Sequence, residues 1–171
     1  GEEWHLLNGI PNTASYDMVI QEQAGELVVA THGRSIFVMD VKPLRELALT
    51  EDVDEKGVIA FQPDTLAFSE RWGERSARYR DREEPEISFL YFNSSDKTQN
   101  IKIELTDKEE DKTIKTWKVD AIPGFNNLQW NGLIKKAESE EEKPEYLKKG
   151  SYQFTVIRNR SNKDTTNFVV E

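Results

Sequence analysis

Apolar positions in the first forty residues come in short runs separated by glycine, as they do in strands. Tyr16-Asp17-Met18-Val19-Ile20, Leu27-Val28-Val29-Ala30-Thr31 and Ser35-Ile36-Phe37-Val38-Met39 are rich in β-branched and aromatic residues. Ala24-Gly25-Glu26 and His32-Gly33-Arg34 fall between them as turns. A three-residue connection centred on Gly suits a hairpin, because only Gly reaches positive φ without a steric cost. Residues 26–40 therefore form the clearest predicted hairpin. Pro43-Leu44-Arg45-Glu46-Leu47-Ala48-Leu49 predicts about two helical turns, with Pro where its missing donor costs nothing. Val58-Ile59-Ala60-Phe61 is a further short apolar run. From Gln62 to Pro85 periodicity is lost, which predicts a long linker or a domain boundary.

Beyond Pro85 the period-two signal is strong. Ile87, Phe89 and Tyr91 fall on one face and Leu90 and Phe92 on the other, the pattern of a strand covered on both sides. Ile101, Ile103 and Leu105 alternate with Lys102 and Glu104, so that strand has one wet face. Between Thr113 and Val119 the phase breaks, since Ile114 and Trp117 have opposite parity, and a bulge or a shift is expected there. Pro123-Gly124 suits a type II turn. Leu128 with Trp130, then Tyr152, Phe154 and Val156, then Phe168 and Val170 supply the remaining strands. Six strands within about 85 residues predict a mainly β chain with an immunoglobulin- or fibronectin-III-like antiparallel β-sandwich. The predicted organisation is a hairpin region with a connector helix over 1–49, a linker with one short strand over 50–85, and the sandwich over 86–171. An acidic run between Ala137 and Glu145 reads as a solvated loop.

Composition narrows the function classes. Charged residues make up 32% of the 171 and the formal net charge is −9, which disfavours a non-specific grip on nucleic acid or an anionic membrane. The absence of cysteine excludes disulfides and thiolate metal sites. No apolar run approaches the roughly 20 residues that span a bilayer, so membrane insertion by a helix is not expected. The opening Gly1-Glu2-Glu3-Trp4 lacks an initiator Met, and the expectation is that the chain is a piece of a longer protein.

Two stretches carry a family resemblance. Trp4-His5-Leu6-Leu7-Asn8-Gly9-Ile10-Pro11, Asp17-Met18-Val19-Ile20 and Leu27 to Asp40, with its Thr31-His32-Gly33-Arg34, resemble the closing blade of sortilin-like, glycosyl-hydrolase-like β-propellers. Gly124-Phe125-Asn126-Asn127-Leu128-Gln129-Trp130-Asn131-Gly132 and Gly150-Ser151-Tyr152 resemble the immunoglobulin-like domain shared with flagellar hook-capping proteins, in which Asp is usual at the position of Asn131. The resemblance implies a location outside the cytoplasm, the propeller as principal partner, and a sandwich that caps or orients it. The Asp-box of many such propellers does not occur here.

No catalytic constellation is read from the residues, and no cofactor is implied. Asp17, Glu26 and Asp40 could face a sugar in a complete propeller, but acids at strand ends are ordinarily solvated. His5 and His32 lack metal-ligand spacing, and no Gly-x-Ser-x-Gly elbow exists. Arg71, Trp72, Arg75, Arg78, Tyr79, Arg80 and Arg82 interleave cations with aromatics. Five acids, Glu70, Glu74, Asp81, Glu83 and Glu84, cancel the five arginines, so counterion release on nucleic acid would be small. The favoured reading is a salt-bridged linker, and the rival is a carbohydrate platform at Trp72 and Tyr79. His32 and Arg34, in the hairpin turn, complete the candidate ligand-binding residues. Self-association through the orphan hairpin's edges is a third possibility. Trp117 and Trp130 read as core, and the Asn93-Ser94-Ser95 and Asn159-Arg160-Ser161 sequons receive no role.

Overall fold

A computed structural model of the chain describes residues 13–75, 77, 79–137 and 144–171. The blade-like stretch from Trp4 to Pro11 with His5, the residue Arg78 and most of the acidic run lie outside the described residues. The chain divides into two compact units, Gly1–Glu51 and Asp52–Glu171.

In the first unit β1 (Ser15–Gln21), β2 (Glu26–Thr31) and β3 (Ile36–Asp40) form an antiparallel meander. Gly25 closes the first turn at φ +69°, its N–H donating to the Gln21 carbonyl (2.9 Å). Helix α1 (Lys42–Leu49) follows, its start tied back to that turn by the Val41 N–H, which donates to the Gly25 carbonyl (2.8 Å). The register lines up Val19, Val28 and Val38 across one face of the sheet. Met18, Val29 and Phe37, with Ile20, Leu27 and Met39, share the other. Both faces thus carry apolar side chains, the first together with Asp17, Gln21, Glu26 and Asp40 towards its ends. Met18 (64%), Val19 (60%), Ile36 (63%) and Val38 (59%) are largely exposed, whereas Val29 is buried.

The second unit is a β-sandwich. After the single turn α2 (Val53–Lys56) come β4 (Val58–Ala60), β5 (Ile87–Asn93), β6 (Gln99–Asp107), β7 (Lys112–Ala121) and β8 (Gly124–Trp130). The short pair β9 (Leu133–Lys135) and β10 (Glu145–Tyr146) precedes β11 (Gly150–Ile157) and β12 (Lys163–Val170). One sheet has the order β4-β5-β8 and the other β12-β11-β6-β7, every neighbour antiparallel. This three-plus-four arrangement is a fibronectin-III-like sandwich. Residues 50–85, expected as a linker with one short strand, hold α2 and β4. Here β4 extends the smaller sheet, and Leu66 makes a parallel bridge to Val170.

The core follows from alternation. Ile101, Ile103 and Leu105 are fully buried while Lys102 and Glu104 pair in solvent at 2.8 Å. Phe89 of β5 stacks on Phe154 of β11 with ring centroids 4.2 Å apart and planes within 8°, which joins the two sheets at their centre. Trp117 and Trp130 meet edge to face at 5.1 Å beside it. The phase break expected near Thr113 is present: Leu105 faces Lys115 and Thr106 faces Thr113, which leaves Ile114 as the extra residue. Gly124 has φ +89°, as the second central residue of a type II turn requires.

Candidate functional site

Between Phe68 and Pro85 the chain leaves the sandwich edge and returns. At its root the Phe68 N–H donates to the Glu171 carbonyl (2.6 Å), and Trp72 packs edge-on to Phe68 at 5.1 Å, half-buried against the core. Gly73 N–H donates to Glu83 O (2.8 Å), Glu83 N–H donates to Glu74 O (2.9 Å), and Arg75 bridges Arg82, so the excursion is a small antiparallel hairpin. Gly73 is required there: it sits at φ +84°, and a Cβ would lie 2.9 Å from the Tyr146 ring. Side chains brace the arms. Glu83 accepts from Ser69 Oγ (2.9 Å) and pairs with Arg71 (3.4 Å), and Arg82 donates to the Gly73 carbonyl (2.7 Å).

The foot of this hairpin is clamped by Glu84. Tyr146 Oη–H donates to one carboxylate oxygen (2.7 Å) and Asn131 Nδ2–H to the other (2.9 Å). The bond from Asn131, then that from Tyr146 and the nearby Arg82 charge, hold the Glu84 carboxyl below its ordinary value despite some desolvation. Burial, reinforced by the bond to Glu84, pushes the Tyr146 phenol up to about 12. A hollow of about 700 Å³ adjoins the clamp, lined by Arg82, Glu86, Ser88, Gln129, Trp130 and Asn131 among others.

Asn131 thereby gains a physical role. An Asp at this position offers no donor at neutral pH and would set a second carboxylate against Glu84. Asn131→Asp is expected to cost about 1 kcal/mol at neutral pH, a charge-assisted hydrogen bond discounted for solvent exposure. The signs are these. Glu84 ionises more readily folded than unfolded, so its contribution is present above its ordinary value near 4.5 and is lost as pH falls. Tyr146 ionises less readily folded, so its contribution is whole below pH 10 and is lost as pH rises towards about 12. In urea titrations the loss in Asn131→Asp should shrink on acidification, as one carboxyl regains a proton to donate. A deficit that stays constant from neutral to acid pH would contradict this.

The four residues singled out from the sequence divide between the two units, Trp72 and Tyr79 in the second and His32 and Arg34 in the first. Trp72 contributes to the core margin. Tyr79 stands at the hairpin tip, 93% exposed, beside a second hollow of about 510 Å³ lined by Arg71, Arg80, Asp81 and Glu83. His32 and Arg34 belong to the first unit. There the turn is closed by Thr31 Oγ–H donating to the Ser35 carbonyl (2.6 Å) and by the His32 backbone N–H donating to Ala14 O (3.0 Å). The His32 ring lies tilted against Tyr16 at 5.2 Å. Among the described residues, no group of three or more His, Asp or Glu is arranged to hold a metal ion, and no helix is long and apolar enough to cross a membrane.

Sequence reasoning missed the Glu84 clamp because its members lie 47 and 62 residues apart along the chain. One signal pointed to it. Asn131 is a side-chain amide in the Trp130-Asn131-Gly132 turn, a residue type able to donate to a carboxylate, as it does to Glu84.

No protein-family model matches the chain, and no characterised protein matches it in sequence. Among solved structures, a β-glucosidase from Erythrobacter marinus aligns over 67% of this chain and 15% of its own at 12% identity and TM-score 0.34. A β-glucosidase from Listeria innocua gives 66%, 15%, 12% and 0.34. A β-glucosidase involved in saponin metabolism from intestinal bacteria gives 67%, 16%, 12% and 0.31. This chain spans about 15% of their length, and similarity of this degree carries no argument about activity.

Proposed function

We propose that the chain is a non-catalytic accessory module of a β-propeller protein outside the cytoplasm. In this reading the β1–β3 sheet is one blade, and the sandwich caps or orients the propeller. The observation that carries it is that the first unit's sheet has apolar side chains at the centre of both faces. Val19, Val28 and Val38 line one face, and Met18, Val29, Phe37, Ile20, Leu27 and Met39 line the other. A solvated sheet keeps one face polar, whereas a sheet covered on both sides reads as near-continuous apolar strands. Blades are of the second kind, since each packs between two neighbours around the propeller axis. Helix α1 has eight residues and is a single element, too little to cover two faces.

The test compares one substitution in two settings. In the 171-residue chain, Val38→Lys should change the unfolding free energy by no more than about 0.5 kcal/mol, because the side chain is exposed. In a chain extended at its N-terminus by the propeller this reading requires, the same change should cost about 2–4 kcal/mol, the loss of a buried valine plus the burial of a charge. Thermal or urea melts of both pairs decide it. Equal and small effects in the two settings would sink the blade assignment.

A further inference from the structure

The turn that delivers Asn131 to Glu84 has to end in glycine. Gly132 sits at φ +71°, and a Cβ there would lie 2.6 Å from the Pro85 ring. The geometry of the clamp therefore imposes an Asn-Gly pair, which is chemically self-reactive. The Gly132 nitrogen is within reach of the Asn131 side-chain carbonyl carbon, and glycine carries no Cβ to hinder the attack. Asparagine counts among the thermolabile residues for this reason.

The fold holds both ends of the reactive carboxamide. Asn131 Nδ2–H donates to Glu84 (2.9 Å), and its Oδ1 accepts from the Leu133 N–H (3.4 Å). Ring closure turns the carboxamide towards the Gly132 nitrogen and expels Nδ2, so the bond to Glu84 is lost on the way. The Glu84 carboxylate also opposes the negative charge that builds on the attacked carbonyl. Water is at hand, because Asn131 lines the hollow of about 700 Å³ beside the clamp.

We propose that Asn131 is a site of spontaneous deamidation whose rate the Glu84 clamp restrains and whose product releases the clamp. The Gly132 N–H gives its proton to hydroxide, and the nitrogen forms a bond to Asn131 Cγ. The Cγ–Nδ2 bond then breaks, and Nδ2 leaves as ammonia with a proton taken from water. The resulting succinimide consumes a water molecule and opens to an aspartyl or an isoaspartyl residue, with no change of oxidation state. Either product is a carboxylate at neutral pH and has no proton to donate to Glu84. The isoaspartyl form also adds an atom to the main chain, in a turn whose Gly132 carbonyl accepts from the Leu147 N–H (2.9 Å). The foot of the hairpin then keeps Tyr146 as its tie to Glu84 and loses Asn131. The reaction does not reverse, so the anchoring of this hairpin weakens with the age of the chain. The site lies wholly in the second unit and is independent of the blade reading.

The experiment follows the whole chain at mildly alkaline pH and physiological temperature, folded and in urea, by peptide mapping with mass spectrometry. Enzymatic methylation reports the isoaspartyl share. Asn8-Gly9, the other Asn-Gly pair of the sequence, serves as an internal clock. Deamidation of Asn131 should be about tenfold or more slower folded than in urea, and Glu84→Ala should raise the folded rate about tenfold, the rate equivalent of one charge-assisted hydrogen bond. The rate at Asn8 should not respond to Glu84→Ala. Tyr146→Phe, which loosens Glu84 and keeps its charge, should give an intermediate rate and decides the matter if Glu84→Ala does not fold. Deamidated chain isolated by anion exchange should melt below the unmodified chain, its aspartyl form together with Asn131→Asp. Equal folded rates in the wild type and both variants, a rise at Asn131 matched at Asn8, or a deamidated chain as stable as the unmodified one would each overturn the proposal.

Discussion

Replacing Phe154 by Ala should lower the unfolding free energy of the sandwich by about 3–5 kcal/mol, the largest effect expected of any single substitution in the chain. Phe154 is where the two sheets meet. Its ring lies flat on Phe89 at 4.2 Å, within 5.6 Å of Phe168 and 6.2 Å of Trp117, and it is almost wholly buried. Truncation removes the apolar transfer energy, leaves a cavity that flanking strands cannot close, and deletes ring pairs worth about 0.5–1.5 kcal/mol beyond their area. Domains of this kind have a total stability on the order of 5–15 kcal/mol, so the loss is a large share of the whole. Urea titration followed by tryptophan fluorescence reads it directly, since Trp117 lies beside the lost ring. A loss under about 1 kcal/mol would mean that the sheets are not held together at this stack.

The second large effect belongs to a polar residue. Asn93 ends β5 with no exposed surface, and its Nδ2 group donates towards the carbonyls of Ala121 (3.2 Å), Ile122 (3.3 Å) and Lys97 (3.4 Å). Its Oδ1 accepts from the Ser95 N–H at 3.2 Å. One side chain thereby ties the β5–β6 connection to the β7–β8 turn across the end of the sandwich. Asn93→Ala removes a fully buried side chain and its bond to the Ala121 carbonyl, the buried one of the set, together with the links to Lys97 and Ser95, and should cost about 2–3 kcal/mol, measured by the same titration. The burial also decides the Asn93-Ser94-Ser95 sequon: the amide that a glycan needs is committed to the fold. Mass spectrometry of folded protein from a glycosylating host should find Asn93 unmodified. A cost below about 0.5 kcal/mol, or a glycan on Asn93, would contradict this role.

How far the sequence reveals the molecule depends on the distance over which the responsible forces act. Strand alternation is local, and Ile101, Ile103 and Leu105 appear in the core as their spacing predicts. The bulge at Ile114 was legible for the same reason, as a break in parity along one strand. Sheet membership is not local. Val58-Ile59-Ala60 reads as an isolated short run, and only its pairing with Asn93, Phe92 and Tyr91 shows it to be the third strand of the smaller sheet. The segment from Gln62 to Pro85 has no period because it lies in no large sheet. Its order comes instead from a two-residue ladder, ion pairs and the Glu84 clamp, none of which leaves a repeating trace. For the candidate site, composition revealed the cations and aromatics but not their separation. Trp72 and Tyr79 sit seven positions apart in sequence and differ in environment, one half-buried on Phe68 and the other 93% exposed.

The apolar strands of the first unit are the feature on which the functional account turns, because Met18, Val19, Ile36 and Val38 stand largely exposed, at the usual cost of apolar surface in water. Amide hydrogen exchange is the most direct measurement: the 171-residue chain, compared with a chain extended at its N-terminus by the propeller that the proposal requires. The account predicts fast exchange over residues 15–40 in the chain alone and strong protection of the same amides in the longer protein. Residues 87–93, 101–105 and 152–156 should be equally protected in both. Equal protection of residues 15–40 in the two proteins would contradict the assignment of this sheet as a blade.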